Sequence, residues 1–205
     1  MNVKLTDEHG QTFGGMQWGP GVTHGPTMGG NRPLCTSAWL HLYEGLGLAI
    51  LHNPLGAAFS APRFWRVSRD TRIERREGLK AGSRRITTTE EVRVTLPSAE
   101  QLMTVAILLA FDHYDPSDDD VQWGSWAVDW LSGENRSKAV AEETSEAANA
   151  AGAAAQAAWA AWAAVTETVV ETVVKTVVET VVKTVGVGPT YLRHIDAVAC
   201  AVFGF

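Results

Sequence analysis

At 205 residues, the chain is long enough for one domain with a hydrophobic core and an appendage. Its net charge of −6 argues against general binding of DNA or RNA, and its two cysteines are too few for a disulfide framework or a zinc cage. We therefore expect a reduced compartment, no metal site and no nucleic-acid polymer as partner.

The first eight residues contain no apolar core, so we expect no signal peptide. An uncharged run at 147–166 has twenty residues, which is enough to span a bilayer. It is mostly alanine, is interrupted by polar residues and is flanked by glutamates rather than by basic residues. The sequence thus predicts a soluble protein with no membrane partner, and we expect a cytoplasmic location.

Residues 10–33 are rich in glycine and proline, a composition that cannot hold a regular helix. The segment is therefore predicted to be a loop. Two interpretations remain open: a surface loop, or a flap that carries Trp18 and His24 over a pocket.

The next elements are short. Residues 34–42 are predicted to be extended, and 46–51 to form an apolar helix that ends at Asn53-Pro54. Residues 64–68 and 84–95 are predicted strands because β-branched and aromatic residues alternate with polar ones. A charged connection, 69–82, lies between these strands.

Two amphipathic helices follow. Ser98 and Gln101 have the spacing of a capping box, and an apolar stripe begins at Leu102. The second helix places Trp123, Trp126, Trp130 and Leu131 on one face, which favours core packing, and ends near Gly133.

From Ser137 the chain is rich in alanine and then repeats the pattern Glu/Lys-Thr-Val-Val, starting at Glu167. A strand of this length would be unusual, whereas a helix places Glu171 beside Lys175, so we predict a helix. A period of four makes the valine stripe drift by about 40° per repeat. Exposed valines on this scale would associate with other apolar surfaces, which predicts a homo-oligomer or a folded-back tail.

These elements predict an α+β fold: a small mixed sheet domain with packed helices, followed by a long Ala/Val-rich C-terminal helix. The predicted organisation has a compact domain at 1–135, a helical tail at 136–186 and an apolar segment at 187–205 that docks.

No complete catalytic, metal or nucleotide motif is present in the sequence, so we expect no cofactor. Cys35 could act as a nucleophile with His41 as its base, although a structural cysteine is the favoured interpretation. The five aspartates between 112 and 120 lack the spacing and glycine of a calcium loop.

Basic residues are concentrated in one segment. Ten of the 17 lysines and arginines fall between Arg63 and Arg93, interleaved with aromatic residues. Guanidinium groups suit phosphate and indoles can stack on a base, so an anion site is one interpretation. The alternative is a surface of ion pairs with the five nearby acids. The candidate ligand-binding residues are Trp39, His41, Tyr43, Trp65, Arg66, Arg69, Arg84 and Arg85.

Several motifs together resemble a family of uncharacterised phage and bacterial proteins. The likeness covers roughly residues 34–145 and implies an accessory protein that acts in the cytoplasm of a bacterial host. It departs from the family pattern at Ala38, where glycine is expected, and in the valine repeat, which replaces alanine-arginine runs. The motifs that carry it are Leu34-Cys35 with Trp39–Tyr43, Leu48–Pro54, Arg63–Val67, Gly78–Gly82, Leu102–Tyr114 and Trp126–Ser137.

The first functional hypothesis is a binding protein that sequesters an anionic small molecule, for example a nucleotide signal of host immunity, and so counteracts defence. The second is a protein–protein interaction module that acts through the helical tail. The third is a nucleotide-processing enzyme in which His41, Tyr43 and Glu44 supply the polar groups. We favour a binding protein over an enzyme because no catalytic motif is complete.

Overall fold

The computed structural model describes residues 1–53, 57–111, 121–134, 136 and 189–205. These residues form an α+β fold, which confirms the predicted fold class. Two compact units are present. The first contains Met1–Leu96, Val187–Cys200 and Phe205, and the second contains Pro97–Gly186 and Ala201–Gly204.

Apart from Arg136, the predicted tail 136–186 lies outside the described residues. The long helix over the valine repeat, and the homo-oligomer inferred from it, therefore remain predictions. In the described ranges, no helix is long and apolar enough to cross a membrane. The uncharged run 147–166 lies outside those ranges.

The described part of the first unit is built mainly from short antiparallel strands. The strands are β1 (Val3–Thr6), β2 (Gln11–Thr12), β3 (Met16–Gln17), β4 (Thr23–His24), β5 (Leu40–Leu42), β6 (Arg63–Val67), β7 (Arg75–Glu77), β8 (Lys80–Ser83) and β9 (Ile86–Val92). The helices of the chain's described part are α1 (Leu46–His52), α2 (Ala99–Phe111), α3 (Val121–Ser132) and α4 (Pro189–Phe203).

The strands form one curled antiparallel arrangement. A four-stranded sheet has the order β1-β6-β9-β4, and a three-stranded sheet has the order β5-β8-β7. They meet where Val3 and Tyr43 exchange two backbone hydrogen bonds of 2.8 Å each. This junction places β1 beside the end of β5, with a neighbour on each edge. All four residues of β1 are buried, Lys4 and Thr6 included.

The core of the first unit is aromatic and aliphatic. The strand predicted at 64–68 is β6, in which Phe64, Trp65 and Val67 are buried and Arg66 is exposed. The main buried cluster contains Trp18, Leu40, Leu42, Trp65, Val67, Ala81 and Ile86. This cluster packs residues of β5, β6, β8 and β9 together, and β1 is joined to β6 by its backbone pairing.

The glycine-rich segment, predicted to be a loop, contains the hairpin β2–β3 and strand β4. Gly14 and Gly15 both have positive φ, of 85° and 75°, in the turn of this hairpin. A side chain at either position would strain the turn. The hairpin brings residues 12–16 to the rim of the cavity described below.

Helix α1 matches the predicted helix at 46–51 and is buried along its length. Its N-cap residue, Gly45, has no side chain with which to satisfy the first N–H groups. Asp196 of α4 supplies the missing acceptor, because its Oδ1 accepts the N–H of Leu48 at 3.2 Å. A Cβ at residue 45 would collide with this carboxylate, so the position needs glycine.

In the second unit, the predicted capping box is confirmed. The Ser98 N–H donates to Gln101 Oε1 at 3.0 Å, and the Gln101 N–H donates to Ser98 Oγ at 3.2 Å. Helix α3 ends before Gly133, whose φ of 81° gives the left-handed C-terminal cap. Trp126 and Trp130 are buried with ring centroids 5.9 Å apart, as core packing predicts.

Candidate functional site

A cavity of about 510 Å³ opens in the first unit, a volume in the range of small-molecule sites. It is bordered by β1, the β2–β3 hairpin, the segment that leads into β5, the C-terminal end of α1 and β8. The described residues with polar or charged side chains in its wall are Lys4, Thr12, Thr27, Cys35, Thr36, Ser37, Trp39, His41, Tyr43, His52 and Lys80.

Lys4 is the most buried charged group of this wall, with 6% of its surface exposed. Its Nζ donates to the backbone carbonyl of His41 at 2.8 Å and lies 4.9 Å from the ring centroid of Trp18. Neither the carbonyl oxygen nor the indole ring carries the full negative charge that would neutralise a protonated amine. Burial lowers the pKa of Lys4 to about 7, so a large fraction of the amine is neutral near neutral pH.

His41 lies half-buried on β5 with its side chain in the cavity wall. Its Nε2 donates to the carbonyl of Leu34, so Nδ1 is the free acceptor of the neutral ring. Burial lowers the pKa of His41, and the charges of Lys4 and Lys80 lower it further. The ring is therefore predominantly neutral and acts as a hydrogen-bonding group rather than as a cation.

Tyr43 and His52 form a hydrogen-bonded pair at the C-terminal end of α1. Tyr43 Oη lies 3.0 Å from His52 Nδ1, and the two rings are 5.3 Å apart. Burial raises the pKa of Tyr43, and burial lowers the pKa of His52 to about 4. Both groups are thus neutral at neutral pH, which makes the phenol the donor and leaves the N–H of His52 on Nε2.

Lys80 and Cys35 meet at the other side of the wall. Lys80 Nζ donates to Cys35 Sγ at 3.0 Å, and the cysteine is exposed. Lys80 is half-buried on β8, one residue from the turn that joins β7 to β8. The sequence suggested Cys35 with His41 as a possible base, and the structure places a third group, the Lys80 amine, against the Cys35 sulfur.

An aromatic pair stands at the rim. The rings of Phe13 and Phe59 stack with centroids 5.4 Å apart, although Phe13 is 75% exposed. Asn53 fixes Phe59 from both sides, since its Nδ2 donates to the Phe59 carbonyl at 2.9 Å and its Oδ1 accepts the Phe59 N–H at 3.1 Å. This arrangement offers a flat apolar surface beside the polar wall.

The charges of the wall are of one sign. Two lysines and no aspartate or glutamate occur among the described residues that line the cavity. The carboxylate of Glu77 acts on His41 from nearby, but its Oε2 accepts the Leu34 N–H at 3.0 Å and lies 3.9 Å from Arg75 Nε. Lys80 and the protonated fraction of Lys4 make the cavity wall positive within a chain of net charge −6.

The structure brings three of the sequence-predicted ligand residues together. Trp39, His41 and Tyr43 all border the cavity. Alternation along β5 and into Tyr43 places His41 and Tyr43 on one side. Trp39 precedes β5 in a turn, where its N–H donates to the Thr36 carbonyl at 3.3 Å, so the predicted extended run 34–42 is a strand only at Leu40–Leu42. Trp39 is buried and its Nε1 donates to the Arg32 carbonyl at 3.0 Å, which holds the indole in place.

The other five predicted ligand residues are not among those that line this cavity. Trp65 is 2% exposed in the core, where its Nε1 donates to Thr6 Oγ1 at 2.9 Å. The arginines Arg66, Arg69, Arg84 and Arg85 are all exposed. Arg66 pairs with Glu90 at 2.7 Å and Arg84 pairs with Glu74 at 2.8 Å.

This placement corrects the expectation that arginines and indoles after residue 60 share a cavity. Further surface pairs join Arg63 to Glu91 and Arg76 to Glu44. The physical reason is that each of these arginines has a glutamate within reach, on an adjacent strand for Arg63 and Arg66 and in a connecting segment for Arg76 and Arg84. The basic segment is therefore a surface of ion pairs, which was the alternative interpretation.

Two other expectations can be located. Glu44, considered with His41 and Tyr43 for catalysis, pairs with Arg76 and does not border the cavity. Trp18 and His24 do not form a flap, because Trp18 is buried in the core with the His24 ring 4.6 Å away. The glycine-rich segment does reach the cavity, but through Thr12, Phe13, Met16 and Thr27.

Lys4 and His52 were not predicted from the sequence, and Lys80 was counted in the basic segment but was not among the predicted ligand residues. A lysine in an amphipathic strand normally points to solvent, and nothing local in Val3–Thr6 indicates that both faces of β1 are covered. His52 had a weak local signal, since it follows the apolar helix and lies nine residues from Tyr43.

Comparisons of the chain with protein-family models, with curated proteins and with solved structures find no match. Across the part of the chain that the structure describes, no group of three His, Cys, Asp or Glu side chains is placed to hold a metal ion. The cavity is therefore the candidate functional site.

Proposed function

We propose that the protein binds an anionic small molecule in the 510 Å³ cavity. The observation that carries this proposal is the composition of the wall: Lys4 and Lys80 contribute positive charge, and the described lining residues include no carboxylate to neutralise it. An anion that enters would supply the counter-charge that Lys4 lacks. Buried charge–charge hydrogen bonds of this kind contribute about 1.5–3 kcal/mol each.

The wall also favours a ligand with a flat ring and several hydrogen-bonding groups. Phe13, Trp39 and Phe59 offer aromatic surfaces, and hydroxyls of Thr12, Thr27, Thr36 and Ser37 surround them. A nucleotide combines a phosphate with such a ring, so nucleotides are the first class to test. The finer proposal, that the ligand is a nucleotide signal sequestered in a bacterial host, rests on this binding.

Isothermal titration with a panel of ligands tests the proposal. The panel contains a nucleoside monophosphate, a dinucleotide, inorganic phosphate and the neutral nucleoside. We expect a saturable heat for at least one nucleotide and none for the nucleoside. Because one charged contact is lost, Lys80→Met should weaken binding roughly 10–100-fold.

The matched control is Arg66→Ala, which removes a cation of the same charge from the surface of ion pairs. It should change the affinity by less than about twofold, because an exposed pair contributes little. If Lys80→Met and Arg66→Ala weakened binding equally, the ligand would respond to the overall electrostatic potential of the protein. That result would contradict the proposal that the ligand binds in the cavity. Absence of binding to every panel member would overturn the proposal.

A further inference from the structure

Lys4 differs from an ordinary phosphate-binding lysine. Lysines that bind phosphate usually reach it from an exposed, flexible stem and keep their charge. Lys4 instead extends from a strand with neighbours on both edges and has only 6% of its surface exposed. Lys4 is nevertheless one of the residues that line the cavity, and its Nζ reaches the backbone carbonyl of His41, another lining residue.

The contacts of Nζ leave its reactive electron pair available. The amine donates an N–H to the His41 carbonyl at 2.8 Å, and no carboxylate pairs with it among the described residues. Because the nitrogen acts as donor in that bond, the lone pair of the neutral amine is not consumed. Burial lowers the pKa of Lys4 to about 7, so this neutral form is well populated near neutral pH.

We propose that Lys4 is the attachment point for a reversible imine with an anionic aldehyde or ketone bound in the cavity. This inference rests on the proposed anion binding and names the chemical class of the ligand. Lysines that form imines are activated by desolvation in this manner. Lys80 would hold the anionic group of the ligand while the aldehyde or ketone carbonyl of the ligand faces Lys4.

The step balances without a further reagent. The lone pair of Nζ attacks the carbonyl carbon, and the carbonyl oxygen takes up a proton to give a carbinolamine. The nitrogen gives up one proton at this stage, so the carbinolamine is neutral. Its hydroxyl then takes up a second proton and leaves as water, and loss of the second N–H proton completes the imine. The described groups of the wall that can exchange protons are His41 through Nδ1, the Tyr43–His52 pair and Cys35.

Reductive trapping tests the proposal in the full chain. The probe is pyridoxal phosphate, an anionic aromatic aldehyde, reduced with cyanoborohydride at about pH 7.5 and mapped by peptide mass spectrometry. The chain has only five lysines, Lys4, Lys80, Lys138, Lys175 and Lys183, so assignment is direct. Fragment ions separate labelling of Lys4 from labelling of the Met1 α-amine.

We expect Lys4 to be labelled at least about tenfold faster than any other lysine, because ordinary lysines are charged at this pH. A nucleotide that binds the cavity should slow the labelling, and pyridoxal without the phosphate should label more slowly. Lys4→Arg should lose the label, whereas Lys80→Arg, which keeps the second positive charge, should retain it. The peptide map of the wild-type protein decides the question even where a variant fails to fold.

Labels spread evenly over the five lysines would overturn the inference. So would equal labelling by pyridoxal and pyridoxal phosphate, because the anionic group would then play no part. Failure of the proposed function has a different signature, since titration would detect no anion binding at all. Saturable nucleotide binding without a Lys4 label would leave the proposed function standing and refute the imine alone.

Discussion

Two groups of positive charge in the first unit behave differently. The arginines of β6, the β7–β8 hairpin and the residues around β9 lie at the surface, and Arg63, Arg66, Arg76 and Arg84 pair with glutamates. Lys4 and Lys80 border the cavity, where no described lining residue is acidic. These four arginines are paired, whereas Lys80, which belongs to the same dense segment of the sequence, and the distant Lys4 face no acidic side chain among the described lining residues. Charge density along a sequence therefore does not by itself distinguish paired cations from cations that border a cavity.

The largest effect should come from removing both cavity lysines together. Lys4→Met with Lys80→Met should weaken nucleotide binding by more than about 100-fold, because two buried charged contacts of about 1.5–3 kcal/mol are lost. The double surface variant Arg66→Ala with Arg84→Ala removes the same formal charge and should change the affinity less than about threefold. Titration calorimetry of both double variants at one salt concentration measures the difference. Similar losses of affinity in the two double variants would show that the cavity lysines and the surface arginines do not differ in their effect on binding.

The second effect is a pH dependence of stability that the surface arginines cannot produce. Burial lowers the pKa of Lys4 to about 7 in the folded chain, whereas the unfolded chain has the ordinary value near 10.5. Between these values the unfolded state binds more protons, so folding becomes more stable as the pH rises. The penalty of burying the charge is fully present below about pH 7.

We expect the free energy of unfolding of the wild-type protein to rise by about 2 kcal/mol more than that of Lys4→Met between about pH 7 and pH 9. Urea denaturation at several pH values measures this difference. The control is Arg66→Ala, which should follow the wild-type profile because arginine keeps its charge throughout. Parallel profiles of wild type and Lys4→Met would mean that Lys4 is solvated rather than buried.

Local signals predicted much of the fold. Helix α1 was indicated by the apolar run at 46–51 and the following Asn-Pro, and the N-terminus of α2 by the spacing of Ser98 and Gln101. Strands β6 and β9 followed from alternation. The β7–β8 hairpin was missed because three charged residues, Arg75–Glu77, occupy its first strand.

The cavity could not be predicted in the same way. Its key contacts join residues far apart in the sequence: Lys4 to His41 across 37 positions and Lys80 to Cys35 across 45. His41 and Tyr43 lie on one side because they alternate along a single extended segment. Lys4 was not identified because its burial depends on the parts of the chain that cover both faces of β1, which the sequence of the strand does not indicate.

The third effect concerns the Tyr43–His52 pair. Tyr43→Phe removes the phenol that lies 3.0 Å from His52 Nδ1 and leaves this buried nitrogen without its donor. The free energy of unfolding should fall by about 1–2 kcal/mol. A double-mutant cycle with His52→Ala isolates the pair, and a coupling energy of about 1 kcal/mol is expected. A coupling indistinguishable from zero would show that the two side chains act independently.

The smallest effect should be found in the surface pairs themselves. Arg66 and Glu90 lie 2.7 Å apart, but 46% and 62% of their side-chain surfaces are exposed. Water and salt screen such a pair, and ordering two long side chains costs entropy, so a double-mutant cycle should give a coupling below about 0.5 kcal/mol. Arg63 and Glu91 form two hydrogen bonds of 2.8 and 2.7 Å, and the Arg63 guanidinium lies 4.5 Å from the Trp65 ring centroid.

The Arg63–Glu91 cycle therefore serves as the comparison within the same surface, and its coupling should be the larger of the two. Both couplings should shrink when about 1 M salt is added, whereas the pH-dependent difference caused by Lys4 should persist, because a group inside the sheet is screened much less. A strong, salt-resistant coupling between Arg66 and Glu90 would place that arginine in a buried, low-dielectric environment. The contrast between the paired arginines of the surface and the lysines of the cavity would then lose its physical basis.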